Sequence, residues 1–202
     1  APGRLPSLAT RGLERIWGVV GTVYGLRSHR NFGLGDFADL GAVAEALATK
    51  DAAFYGFNPV HALGWSTEAV SPYSPTHRGF LNIWHIAPDK AAELCACPSM
   101  AALVAEAAPG FEALRGSQTV DYHGHRALLK PLLERSHQVF LTEAPEPVRA
   151  DLAAFRGDGG DALEDFALFE TLSEIHGPDW RTWPEPFRHR DAVDRTGELQ
   201  AR

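Results

Sequence analysis

Residues 16–26, Ile-Trp-Gly-Val-Val-Gly-Thr-Val-Tyr-Gly-Leu, and residues 52–60, Ala-Ala-Phe-Tyr-Gly-Phe-Asn-Pro-Val, decide the fold class. Both are charge-free and rich in β-branched or aromatic side chains, and polar residues bound them. That pattern predicts strands buried on both faces. Between them a basic, polar loop runs through Arg27, His29, Arg30 and Asn31 to Gly33-Leu34-Gly35. Asp36 then stands where a helix N-cap belongs, and Asp39 adds negative charge to the first turn. Phe37, Leu40, Val43, Ala44 and Leu47 recur at helical spacing, which predicts an amphipathic helix ending near Lys50. Strand, helix and strand in this order form a βαβ unit, whose parallel strands require helices on both faces. The expected class is therefore α/β, with residues 82–86 as a third short strand.

Past residue 90 the pattern turns helical. Alanine-rich segments predict helices over about 89–107 and 122–140, with Pro131 bending or breaking the second. Helices over 145–156 and 161–176 follow, the last with Leu163, Phe166, Ala167, Leu172 and Ile175 along one face and Gly177-Pro178 as its stop. Residues 109–119 and 156–161 read as glycine-rich linkers. Two units result: residues 1–90, and a mostly helical residue range 91–202.

The chain has 202 residues, 45% hydrophobic and 22% charged, enough to bury a real core. A formal net charge of −7 leaves no electrostatic footprint for nucleic acid or an anionic membrane. No apolar run approaches the roughly 18 residues that span a bilayer. Cys95 and Cys97 are one residue apart, too close for an ordinary staple, and read as small buried residues in a reducing cytoplasm. The first residue is alanine, residues 194–202 resemble a helix just beginning, and both ends look cut.

Residues 68–82, Glu-Ala-Val-Ser-Pro-Tyr-Ser-Pro-Thr-His-Arg-Gly-Phe-Leu-Asn, hold one tyrosine between two Ser-Pro pairs. Proline fixes its own φ and restricts the residue before it, so Ser71 and Ser74 are pushed towards extended backbone and Tyr73 is held rigidly. A flat aromatic face beside hydroxyls suits sugar recognition. The plainer reading, a braced loop whose tyrosine packs on the domain, fits the loop taken alone better.

Other constellations carry less. Gly33-Leu34-Gly35-Asp36-Phe37-Ala38 fits G-x-G-x-x-A, yet Asp36 would place a carboxylate where pyrophosphate meets the helix, and no acidic residue ends the second strand to hold a ribose. Nine histidines form no H-E-x-x-H or comparable ligand set, so no metal and no cofactor is expected. Asp121, His123 and His125 read as a solvated turn. Glu164 with Asp165, and Glu170 with Glu174, read as the wet face of a helix. No G-x-S-x-G elbow is present. Trp180 and Trp183 could stack on sugar or serve in the core.

Trp17-Gly18, Leu26-Arg27-Ser28, the run from Asn31 to Phe37, Asp39-Leu40, the run from Asn58 to Leu63, Ser71-Pro72-Tyr73-Ser74-Pro75, Arg78 and Leu81-Asn82 together resemble the opening of 4-α-glucanotransferases, the amylomaltase or disproportionating-enzyme family. Val120-Asp121-Tyr122 and Trp180-Arg181-Thr182-Trp183-Pro184 continue the resemblance in order. It implies the first two or three strands of a (β/α)8 TIM barrel with a helical insertion, and a cytoplasmic glycosyltransferase. The implied reaction moves α-1,4-glucan segments between maltodextrins by retaining double displacement, which needs a carboxylate nucleophile and a second carboxyl as acid and base. The resemblance puts those carboxylates beyond residue 202, so this chain alone is expected to be inactive and none of its residues is assigned as catalytic. The partners implied are maltodextrins and the missing remainder of the barrel. A non-catalytic glucan-binding module and an inactive truncated remnant are the alternatives. By position, Tyr73 would stack on the donor sugar with Ser71 hydrogen bonding nearby. Asp36 and Asn82 are substrate-binding candidates in matched motifs. Phe32, Gly79-Phe80 and Ile86-Ala87-Pro88 depart from the family pattern, which has tryptophan, Arg-Trp and Ile-Asp there.

Overall fold

The computed structural model describes residues 15–65 and 70–189. Both chain ends, and Glu68 and Ala69 of the proline-braced loop, lie outside the described residues.

The βαβ unit is present. Strand β1 (Gly18–Gly21) pairs in parallel with β2 (Phe54–Phe57), Gly18 opposite Phe54 and Gly21 opposite Phe57, and helix α1 (Phe37–Ala48) crosses between them. Asp36 caps α1 as expected. Its carboxylate accepts from the Asp39 amide at 2.9 Å while Asp39 accepts from the Asp36 amide at 3.3 Å, a reciprocal capping box that satisfies two otherwise orphaned donors. The expectation that both strands are buried on both faces fails: Val20 is 78% exposed. Helix α1 packs against β2, but a parallel pair needs a layer on each face, and the face that carries Val20 is open among the described residues.

Strand β3 (His61–Ala62) pairs antiparallel with β4 (His77–Leu81), forming a second small sheet. Residues 82–86, expected as a strand, instead turn through a 3-10 helix, Ile83–His85. The Asn82 side chain causes this, its Oδ1 accepting from the Trp84 amide at 3.1 Å and closing a turn that competes with a strand ladder.

The helical region is more continuous than its composition suggests. Helix α2 (Pro88–Cys95) and α3 (Pro98–Arg115) are separated at Ala96, which has φ 51°, where one helix over 89–107 was expected. Helix α3 runs through Pro109 and Gly110, so 109–119 is not a linker. Helix α4 (Tyr122–Glu143) likewise continues through Pro131. Each proline removes one backbone donor, but Phe111 and Leu129 nearby are wholly buried and hold the flanking turns in place. Helix α5 (Glu146–His176) kinks at Gly160, whose φ of 49° suits glycine, so two helical stretches meet where a linker was expected. Its buried positions are Leu168, Leu172 and Ser173; Ile175, expected on the apolar face, is 43% exposed.

The main core crosses the sequence midpoint. Phe32, Leu34, Leu63 and Trp84 join Cys97, Met100, Val104, Phe111, Leu129, Leu132 and Phe140 in one cluster. Cys97 is buried and Cys95 half-buried, and both thiols are free. Phe32, where the family pattern has tryptophan, packs edge-on against Phe111 with ring centroids 4.9 Å apart. A second, smaller cluster holds Leu168, Leu172 and Trp183. Trp183 is core, its indole donating to the Gly177 carbonyl at 2.7 Å. Trp180 is half exposed.

Candidate functional site

At the C-terminal end of β2 the chain is tied to the segment after β1. Asn58, buried, accepts from the Val23 amide at 2.8 Å and donates to the Pro59 carbonyl at 2.9 Å. This fixes the direction in which Pro59 and His61 leave the strand. Opposite them, Ser71-Pro72-Tyr73-Ser74 forms a β-turn in which the Ser71 carbonyl accepts from the Ser74 amide at 3.1 Å, with proline at the second position where its φ is pre-set. Ser71 Oγ also accepts from the Tyr73 amide at 3.4 Å. Tyr73 is 72% exposed. It lines a cleft of about 230 Å³ with Pro59, His61, Pro72, Pro75 and Arg78.

The cleft offers one aromatic face, an imidazole, a guanidinium and three rigid proline rings. Such a surface can stack on an apolar ring face and hydrogen bond to hydroxyls or carbonyl oxygens. Among the described residues that line it there is no carboxylate.

Asp36 and Asn82 do not line this cleft. Asp36 is 2% exposed and paired with Arg30, whose guanidinium also meets Asp39 at 3.0 Å and Asp89 at 2.7 Å. Burial pushes the Asp36 carboxyl above its usual range, partly offset by Arg30. Asp39 further accepts from Ser28 Oγ at 2.7 Å and Asn31 Nδ2 at 3.0 Å. The run 28–39 is thus a polar frame that holds the start of α1. Gly35 serves this frame by close packing, since a Cβ there would meet the Val23 carbonyl. Asn82 is buried and uses its side chain on Trp84.

Asp121, exposed as expected of a solvated turn, caps α4, accepting from the Gly124 amide at 2.8 Å, but other residues leave their expected surface roles. His125, read as part of a solvated turn, is 1% exposed with Nδ1 2.9 Å from the Phe32 carbonyl and Nε2 3.2 Å from the Trp84 carbonyl. A neutral imidazole donates to one carbonyl only, and burial favours that neutral form of His125. Glu170 and Glu174 are not a wet face either. Glu174 pairs with Lys130 of α4, and Glu170 accepts from the Thr76 hydroxyl at 3.3 Å. His61 and Arg78 had only weak signals in the sequence: the β3–β4 pairing, not any spacing motif, brings them to the cleft.

The fold is similar to part of an amylomaltase. The crystal structure of amylomaltase from Corynebacterium glutamicum matches with a TM-score of 0.70 and 25% identity, over 92% of this chain and 25% of its own. Residues 22–201 match the family model described as 4-alpha-glucanotransferase, and the chain belongs to that family. A Mycobacterium tuberculosis 4-alpha-glucanotransferase is 32% identical over 189 residues, which is 89% of this chain and 25% of the relative. The Haemophilus influenzae 4-alpha-glucanotransferase is 29% identical over 93% of this chain and 29% of its own length. The chain therefore spans between a quarter and a third of the length of these relatives. Among the described residues, no helix is long and apolar enough to cross a membrane.

Proposed function

We propose that this chain supplies the donor-side glucan-binding part of a 4-α-glucanotransferase, with residues 1–90 as the opening of a (β/α)8 barrel and 91–202 as a helical insertion subdomain packed on it. The substrates are α-1,4-glucans, and Tyr73 stacks on a glucose ring with Ser71 alongside. Exposure of Tyr73 on a proline-braced turn, facing a cleft at the tip of β2, is the observation that carries the reading. Barrel enzymes place their sites at that end of the strands. In this reading Asp36 acts through the frame that holds the start of α1 and Asn82 through the turn it closes onto Trp84, not by contact with sugar.

Transfer with retention needs two carboxyl groups about 5 to 5.5 Å apart across the scissile bond. The described residues lining the Tyr73 cleft supply none, so in this reading the bond-breaking carboxyls come from elsewhere in the enzyme and this chain by itself binds glucan without turning it over. A non-catalytic glucan-binding module is the second reading that the same lack of carboxylates supports. Calorimetric titration with maltoheptaose tests the shared part of both. Tyr73→Ala should weaken binding by about 5- to 150-fold, from a lost stacking contact of roughly 1 to 3 kcal/mol, by analogy with ring stacking on bases. Unchanged affinity would remove Tyr73 from the site. Incubation with maltotriose followed by chromatography should show no longer or shorter maltodextrins; their appearance would place the catalytic carboxylates inside this chain.

A further inference from the structure

Glu170 lies on α5 after the Gly160 kink, facing the base of the β3–β4 sheet. Thr76, which leads into β4, donates its hydroxyl to Glu170 Oε1 at 3.3 Å. The hydroxyl's one proton is shared with the Ala62 carbonyl, which lies nearer at 3.1 Å and also accepts from the Thr76 amide at 2.8 Å. On the other side, the Trp65 amide hydrogen bonds the Glu170 carboxyl. Gly64, with φ 69°, leaves room for that carboxyl: a Cβ there would stand 2.6 Å from Glu170 Oε2. One carboxyl thus meets the chain as it leaves β3 and again as it enters β4, and the Ser71–Ser74 turn lies between those two points.

The surrounding contacts brace the same base. Lys130 of α4 pairs with Glu174 and stands 6.0 Å from the Trp65 ring centre. Arg126 donates to the Trp65 carbonyl and lies over the Trp84 ring at 4.7 Å. Phe80 of β4 stacks on Phe166 of α5 with centroids 4.2 Å apart. Burial pushes the Glu170 carboxyl above its usual range, so it is held there against a desolvation cost that its hydrogen bonds offset.

We propose that Glu170 is a positioning residue: it clamps both ends of the Tyr73-bearing segment to α5 and so fixes the aromatic face that a glucan meets. It touches no sugar itself. The proposal rests on the reading of Tyr73 as the stacking residue. Its energetic logic is pre-organisation, since a surface ordered before binding loses less entropy when ligand arrives.

The test uses the 202-residue chain with Glu170→Ala, Glu170→Gln and Thr76→Val. Amide exchange over residues 70–76, maltoheptaose affinity and thermal unfolding are measured for each. Glu170→Ala should speed exchange over 70–76 and weaken maltoheptaose about tenfold, the loss expected for a hydrogen bond to a charged group. Glu170→Gln keeps an acceptor oxygen and should restore affinity to within about threefold of the parent. Thr76→Val leaves α5 untouched and should speed exchange in the same segment, which keeps the test decisive if Glu170→Ala fails to fold. Unaltered exchange in 70–76 on losing the Thr76 hydroxyl, or a glutamine variant as weak as the alanine one, would overturn the proposal. If the parent chain binds no maltoheptaose, the Tyr73 reading falls, while the exchange measurements still decide whether Glu170 clamps the segment.

Discussion

Leu129 on α4 and Val20 on β1 are both aliphatic residues in regular structure, yet the first is 0% exposed and the second 78%. The difference follows from how each element finds cover. Helices α3 and α4 lie against each other, so a stripe on one meets a stripe on the other and closes a core with Phe32, Leu34 and Trp84. The β1–β2 pair makes its own hydrogen bonds but no second layer over Val20. Backbone pairing specifies the strands, and burial stabilises the helices. Helix-rich residues therefore carry most of the stability of the described molecule, while the sheet contributes geometry to the cleft.

The strongest way to break this comparison is a paired truncation. Leu129→Ala should cost about 2 to 5 kcal/mol through lost transfer energy and a residual cavity. Val20→Ala should stay within about 0.5 kcal/mol, as surface changes do. Urea unfolding of both variants checks it, and similar losses would mean that the sheet is covered after all.

Acid should act at the seam between the two regions. His85 is 4% exposed, its Nδ1 is 2.8 Å from the Gly35 carbonyl, and burial holds its pKa down to about 4 from 6.5. A histidine with a depressed folded pKa stays neutral in the fold while the unfolded chain takes up a proton. Its contribution is thus present above about pH 6.5 and is lost as pH falls towards 4, by roughly 3 kcal/mol at most. The raised Asp36 and Glu170 carboxyls work in the opposite sense, since their protonation favours the folded state. Stability measured against pH for the parent and His85→Gln should differ most in slope within that window, and parallel curves would assign the acid sensitivity elsewhere.

A smaller gain should come at the entrance to the helical region. Ala87, where the family pattern has aspartate, is the N-cap of α2 and offers no side-chain hydrogen bond to its first turn. Ala87→Asp should add about 1 kcal/mol by accepting from a free amide there. A thermal midpoint that does not rise would show that the buried position rejects a carboxylate.

The sequence was most legible where chemistry is local. Asp36 at an N-cap with Asp39 three residues on, the βαβ order, and Gly177-Pro178 after α5 are all set by neighbours within a few residues, and each is where it was expected. Tyr73 on its stiff turn was visible for the same reason, because proline acts on φ directly. Most departures come where distant residues decide the outcome, the 3-10 turn at Ile83–His85 being a local exception set by Asn82. Pro109 and Pro131 stay inside helices because a shared core holds the turns around them. His125 became a core group because two carbonyls from Phe32 and Trp84 meet it. Glu170 looked like a wetted helix residue until Thr76, 94 positions away, was found against it.

What the amino-acid order determined by itself was the βαβ order, the Asp36 cap and the rigid Tyr73 turn, since short-range sterics and hydrogen bonds fix these. Only the tertiary structure decided which faces are covered, that His125 is enclosed by the Phe32 and Trp84 carbonyls, and that His61, Tyr73 and Arg78 share one cleft. Those outcomes depend on packing between segments tens of residues apart, and neither the period nor the composition of a segment encodes what another segment will bring against it.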